Sequence, residues 1–188
     1  MSNILSSMLE TGTKRQLSPG LARILQSIAA IIALGVIYTT TIVYVDLFAM
    51  TIVFLSSMLA LLFLLYTPGP WGRTNAPGIA DWLLSLTSVA AGVYFLVESS
   101  RIVERITLLF PLGSALFFLT IEATRRTVGF GLTSVVTIFV LYNLFGHGLP
   151  AGLGFREVGY NHFLDIMMFT SDGLFGVPLR VAATYAFL

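Results

Sequence analysis

The stretch Leu47-Phe-Ala-Met-Thr-Ile-Val-Phe-Leu-Ser-Ser-Met-Leu-Ala-Leu-Leu-Phe-Leu-Leu-Tyr66 holds twenty residues without a charge. At 1.5 Å rise per residue a helix of that length covers a hydrocarbon core of about 30 Å. It has no alternation of polar and apolar positions, so no face is set aside for water. Lipid offers no partner to a backbone N–H or C=O, so such a segment must pair its own groups as a helix.

The pattern repeats on either side. Apolar runs over about 24–45, 47–66, 80–97, 106–123 and 128–145 predict five full transmembrane helices, A to E. A sixth, F, starts near 163 and is truncated at Leu188. The predicted fold is all-α, a polytopic helical membrane protein, with residues 1–20 as a polar cytoplasmic tail. Runs C and D are near the short limit for a span and need flanking residues. Composition agrees: of 188 residues 56% are apolar and only 10% charged, with a mean hydropathy of +0.91. Soluble domains carry roughly 25% charged residues, so a water-facing surface cannot be covered here. A net charge of +1 gives no basic field for nucleic acid. With no cysteine, thiolate chemistry and disulfides are excluded.

The connections carry turn chemistry. Asp46 alone separates A from B, which predicts a tight hairpin. Thr67-Pro-Gly-Pro-Trp-Gly-Arg73 cannot continue a helix. Pro111 is placed to kink D, and Gly146, Gly148, Pro150, Gly152 and Gly154 end E in an irregular segment. An uncleaved first helix follows from Lys14, Arg15 and Arg23 preceding a run too long for a signal-peptide core. With the N-terminus inside, Lys14, Arg15, Arg23, Arg73, Arg125 and Arg126 are cytoplasmic, and Arg101, Arg105 and Arg156 lie opposite. Six against three favours that orientation. Trp71 and Trp82 flank the same loop as interface anchors. Ser85, Ser88, Ala91 and Gly92 in C give the small-residue spacing on which membrane helices approach closely.

Ionisable residues within spans are where chemistry is sought first. Glu122, Arg125 and Arg126 are spaced i, i+3 and i, i+4 at the end of D, so one helix face pairs them. They read as a boundary ion pair that fixes topology, ahead of any contact with substrate. Glu98, Arg101, Glu104 and Arg105 read as a solvated loop. His147, His162, Asp165 and Asp172 have neither the paired-histidine nor the His-Glu-x-x-His spacing of a metal site, and no metal is predicted. Ser134 and Ser171 lack the glycine elbow of a nucleophile, so no catalytic residue is assigned and the chain is not read as an enzyme. Asp172, Gly173, Gly176 and Pro178 precede the last apolar run. They read first as a plain helix start capped by Ser171 or Asp172, and second as a broken or re-entrant helix of the kind transporters use. Arg180, in an apolar context, either snorkels, faces a partner helix or meets Asp172 through a bent backbone.

Four segments then resemble a known family. Glu122-Ala-Thr-Arg-Arg-Thr-Val-Gly129, Leu141-Tyr-Asn-Leu-Phe-Gly146, Gly148-Leu-Pro150 and Gly173-Leu-Phe-Gly-Val-Pro178 are similar to the fused permeases of TAXI-type tripartite ATP-independent periplasmic (TRAP) transporters. The resemblance runs from helix A to Leu188, is diffuse over A to C, and is specific from Glu122 onward. It implies a secondary transporter for organic acids in the bacterial inner membrane, driven by a cation gradient, commonly sodium, with no other cofactor. Its implied partners are a periplasmic substrate-binding protein and the remainder of a large permease unit. Residues 21–126 would be the small four-helix (Q-type) domain, a scaffold, and 127–188 the opening of the large (M-type) transport domain. Two departures stand out: the chain stops where the large unit has barely begun, and Arg180 occupies a position where a small residue is expected. The expectation is an incomplete permease that does not transport alone, the rest lying on the same or a separate chain. The alternative is a stand-alone membrane scaffold or assembly protein, and a membrane-embedded hydrolase is a distant third.

Overall fold

A computed structural model describes residues 14–41, 46–69, 76–98, 102–150, 154, 156–170 and 173–185. Among the described residues seven α-helices follow in order: α1 Pro19–Thr41, α2 Leu47–Leu65, α3 Ile79–Glu98, α4 Ile102–Val128, α5 Phe130–Phe145, α6 Tyr160–Leu164 and α7 Val177–Tyr185. A 3₁₀ turn, Gly146–Gly148, extends α5, and a π-helical turn, Asp165–Phe169, extends α6. Among the described residues no strand forms. The one extended contact is an isolated antiparallel bridge between Lys14 and Tyr66.

Among the described residues four helices are long and apolar enough to cross a membrane: Pro19–Tyr38, Leu47–Leu65, Ile79–Val97 and Phe130–Gly148. The expectation of five full spans is thus met for A, B, C and E. Helix D corresponds to α4, 27 residues long, whose last two turns carry Glu122, Arg125 and Arg126. It runs unbroken across Pro111. The sixth run is not one helix: it divides into α6 with its π turn and, beyond a break, α7. α1 begins at Pro19, inside the expected tail, because proline suits a first helical position whose N–H would be unpaired anyway.

α2 is apolar all round, and this makes it the central helix. Asp46 caps it, accepting from the N–H of Ala49 at 3.2 Å. Its packing against α3 is the most extensive in the molecule. The small residues of α3 make this possible: Ser85, Ser88, Ala91 and Gly92 are all buried. A Cβ placed on Gly92 would lie 2.3 Å from that of Ser56. The buried hydroxyls need no distant partner. Thr51, Ser56 and Ser88 each donate to a carbonyl one turn back in their own helix.

One core joins α2, α3 and α4 to the C-terminal segment. Ile52, Leu59 and Phe63 of α2 meet Ala91 and Phe95 of α3, Leu116 and Leu119 of α4, and Leu164, Met168 and Phe175 of the C-terminal segment. Phe175 stands edge-on to Phe48, with centroids 5.2 Å apart, and Phe163 stands edge-on to Phe117 at 5.5 Å. The outer faces of α1, α3 and α5 expose Ile31, Leu34, Leu83, Leu86, Ile138 and Phe139, among others. Apolar cover on that scale suits acyl chains and not water. Gly129 alone joins α4 to α5, at φ 92°, a left-handed conformation that glycine adopts freely.

Candidate functional site

Among the described residues the buried charged side chains, Arg15, Asp81 and Arg126, gather at one end of the bundle, where α2 and α4 finish and α3 begins. Gly78 precedes α3, and its N–H donates to Asp81 Oδ2 at 2.8 Å, so the carboxylate folds back over the helix start. That posture leaves both oxygens facing the neighbouring elements. Arg126, in the last turn of α4, donates from Nη1 to Oδ1 at 2.7 Å. Arg15, on the extended segment before α1, donates from Nη2 to Oδ2 at 2.5 Å. Arg15 is held there by its own backbone, whose N–H donates to Leu65 O at 2.9 Å as the chain bridges Tyr66.

The cluster continues along α4. Arg126 Nε donates to Glu122 Oε1 at 2.8 Å, and Arg125 reaches both Glu122 oxygens at 2.7 Å. The expected pairing of Glu122, Arg125 and Arg126 is therefore present, but it is only the outer half. Side chains of Arg15, Asp81 and Arg126 are 1%, 6% and 3% exposed, whereas those of Glu122 and Arg125 are 28% and 33%. The Arg126 guanidinium also lies 5.0 Å from the ring centroid of buried Phe63, a cation–π contact. Burying such charges is tolerable only when they are paired and hydrogen-bonded. Arg15, paired with Asp81 through Nη2, meets this only in part. Its Nε and Nη1 are buried without a hydrogen-bond partner.

Sequence reading missed Asp81 and the buried role of Arg15. The signal was there: Asp81 is a lone acid inside an apolar run, the situation in which a partner must be sought.

The second candidate is the break after α6. Leu174 N–H donates to Met167 O at 2.8 Å and Gly176 N–H to Gly173 O at 3.0 Å, which turns the chain back toward α2. A Cβ at Gly173 would sit 2.4 Å from the carbonyl oxygens of Ile166 and Met167, so the turn requires glycine there. No family model, curated protein or solved structure matches the chain. The break has to be read from its own geometry. Pro178 falls in the first turn of α7, Gly176 is buried, and Asp172 and Ser171 lie outside the described residues. Arg180 reaches back past the start of α7, where Nε donates to Phe175 O at 3.2 Å. His162 and Asp165 share one short helical segment, and among the described residues no group of three His, Asp or Glu could hold a metal ion. Ser134 spends its hydroxyl on Gly131 O.

The two candidates differ in what they can do. The ion cluster ties three separated parts of the chain at one end of the bundle. The break interrupts the last helical run beside the core residues Met168 and Phe175, with Arg180 close by.

Proposed function

We propose that this chain is the membrane permease component of a TRAP-type secondary transporter for organic acids, providing a scaffold and the first helices of the transport unit. The reading rests on the four sequence segments that resemble the fused permeases. The observation that supports it best is the glycine break between α6 and α7, since discontinuous helices near the bilayer interior are what such transporters use to hold substrate and coupling ion. In this reading α1 to α4 form the scaffold, its boundary fixed by Asp81, Glu122, Arg125 and Arg126. The C-terminal segment from α6 to α7, packed on α2 through Phe175, belongs to the transport unit. A periplasmic binding protein delivers the acid, sodium drives its uptake, and the N-terminus is cytoplasmic in the inner membrane.

Deleting the coding sequence from its host tests the proposal. Sodium-dependent uptake of one organic acid should disappear, while ATP-driven uptake of other solutes persists. Unchanged uptake across a panel of carboxylates would remove the transporter reading. It would leave the second reading, a membrane scaffold without transport. That reading is favoured by one observation: Asp81, Glu122 and Arg126 are all engaged with one another or with Arg15 and Arg125, as a purely structural lock requires.

A further inference from the structure

The boundary cluster holds three arginines, Arg15, Arg125 and Arg126, against two carboxylates, Asp81 and Glu122, which leaves a surplus of one positive charge (3 − 2 = +1). Exposed Lys14 and Arg23 add positive charge at the same end of the bundle. The surplus is not spread evenly. Arg126 uses Nη1 and Nε on two different carboxylates, and Arg125 is bidentate to Glu122. Arg15 alone keeps two of its three nitrogens, Nε and Nη1, without an acceptor although its side chain is 99% buried. Buried guanidinium donors are almost always satisfied, so a pair left open points to a missing anionic acceptor.

We propose that this cluster receives a phosphate-bearing anion, specifically the headgroup of an anionic phospholipid, with Arg15 as the residue that takes the phosphate. Position selects the source. Arg15 lies beside Leu65 and Tyr66, at the end of a membrane-length helix, which is the depth of the lipid phosphates. Entry asks little of the fold. Residues 15–18 are neither helix nor strand, and they are fastened to α2 by the Lys14–Tyr66 bridge and the Arg15 N–H to Leu65 O bond. When that strap shifts, Asp81 keeps Arg126 and the Gly78 N–H, so no carboxylate is orphaned.

The test uses the purified full chain in detergent, supplemented with phosphatidylglycerol, with zwitterionic phosphatidylcholine or with millimolar inorganic phosphate. Bound lipid is counted by native mass spectrometry, and the unfolding temperature is followed by circular dichroism. Phosphatidylglycerol should be retained over phosphatidylcholine by about fivefold or more, the attraction one basic residue adds at a membrane surface. Arg15→Gln should abolish the preference and Lys14→Gln should keep it. Arg15→Lys preserves the charge but not the forked donors, and should lower the preference even if the Gln variant fails to fold. An Arg15→Lys protein that discriminates as well as the wild type overturns the proposal. Inorganic phosphate that raises the unfolding temperature as much as phosphatidylglycerol overturns the assignment to lipid.

Discussion

Arg126 and Asp81, 45 residues apart in sequence, share a 2.7 Å hydrogen bond with both side chains almost wholly buried. Asp81 is the common acceptor for two arginines, so its loss leaves Arg15 buried with no carboxylate and Arg126 with Glu122 alone. Removing one partner of a buried pair costs about 3–5 kcal/mol, mostly because the other charge stays behind without compensation. Asp81→Asn should therefore lower stability by at least that order. Arg125→Gln, whose pair is a third exposed, should cost well under 1 kcal/mol. Denaturant unfolding of the three proteins in the same micelle compares them, and equal losses would contradict the division into inner and outer halves.

The contact between α2 and α3 predicts a rescue. Gly92→Ala drives a methyl group into Ser56 and should destabilise by about 1–3 kcal/mol. With Ser56→Gly added, the nearest remaining atom of that residue is its Cα at 3.8 Å, an ordinary contact. The double variant should recover most of the loss. Additive destabilisation would mean that the two positions do not meet.

At the break, the obstacle to a larger residue is backbone and cannot rotate away. Gly173→Ala should open the turn and release Phe175 from Phe48 and Phe95. Hydrogen exchange should then rise across 160–185 and stay unchanged in α2 and α3. Protection retained throughout would show that Ile166 and Met167 do not close on Gly173.

Orientation is open to direct chemistry because the chain has no cysteine of its own. Cysteines introduced singly at Ala76 and Asn161, both exposed, should react with an impermeant thiol reagent from opposite faces of the membrane, Ala76 from the cytoplasmic one. Reaction of both from one face would refute the topology drawn from the basic residues.

The spans of α1, α2, α3 and α5 were legible because length and apolarity alone decide them. So was the close approach of α3, since Ser85, Ser88, Ala91 and Gly92 fall at helical spacing and are all buried. The Glu122–Arg125–Arg126 group was legible for the same reason, as i, i+3 and i, i+4 neighbours meet on any helix. Asp81 announced the need for a partner, but its partners were not legible, because they stand 66 residues before and 45 after it, and local periodicity carries no information at such separations. The break at Gly173 was half legible. Glycine and proline announced an interruption, but only the fold shows that the turn closes against Ile166 and Met167.

The place of Asp81 in the chain also sets an order of events during synthesis. Arg15 has left the ribosome before Asp81 is made, whereas Arg126 follows 45 residues later. At about 5–20 residues per second that is a wait of about 2–9 s. For that interval Arg15 is the cation among the two available to neutralise the aspartate as α3 enters the bilayer. Arg126 arrives afterwards, takes the other oxygen and completes the lock. A chain lacking Arg15 should therefore insert α3 less efficiently than one lacking Arg126, even where the finished proteins are equally stable.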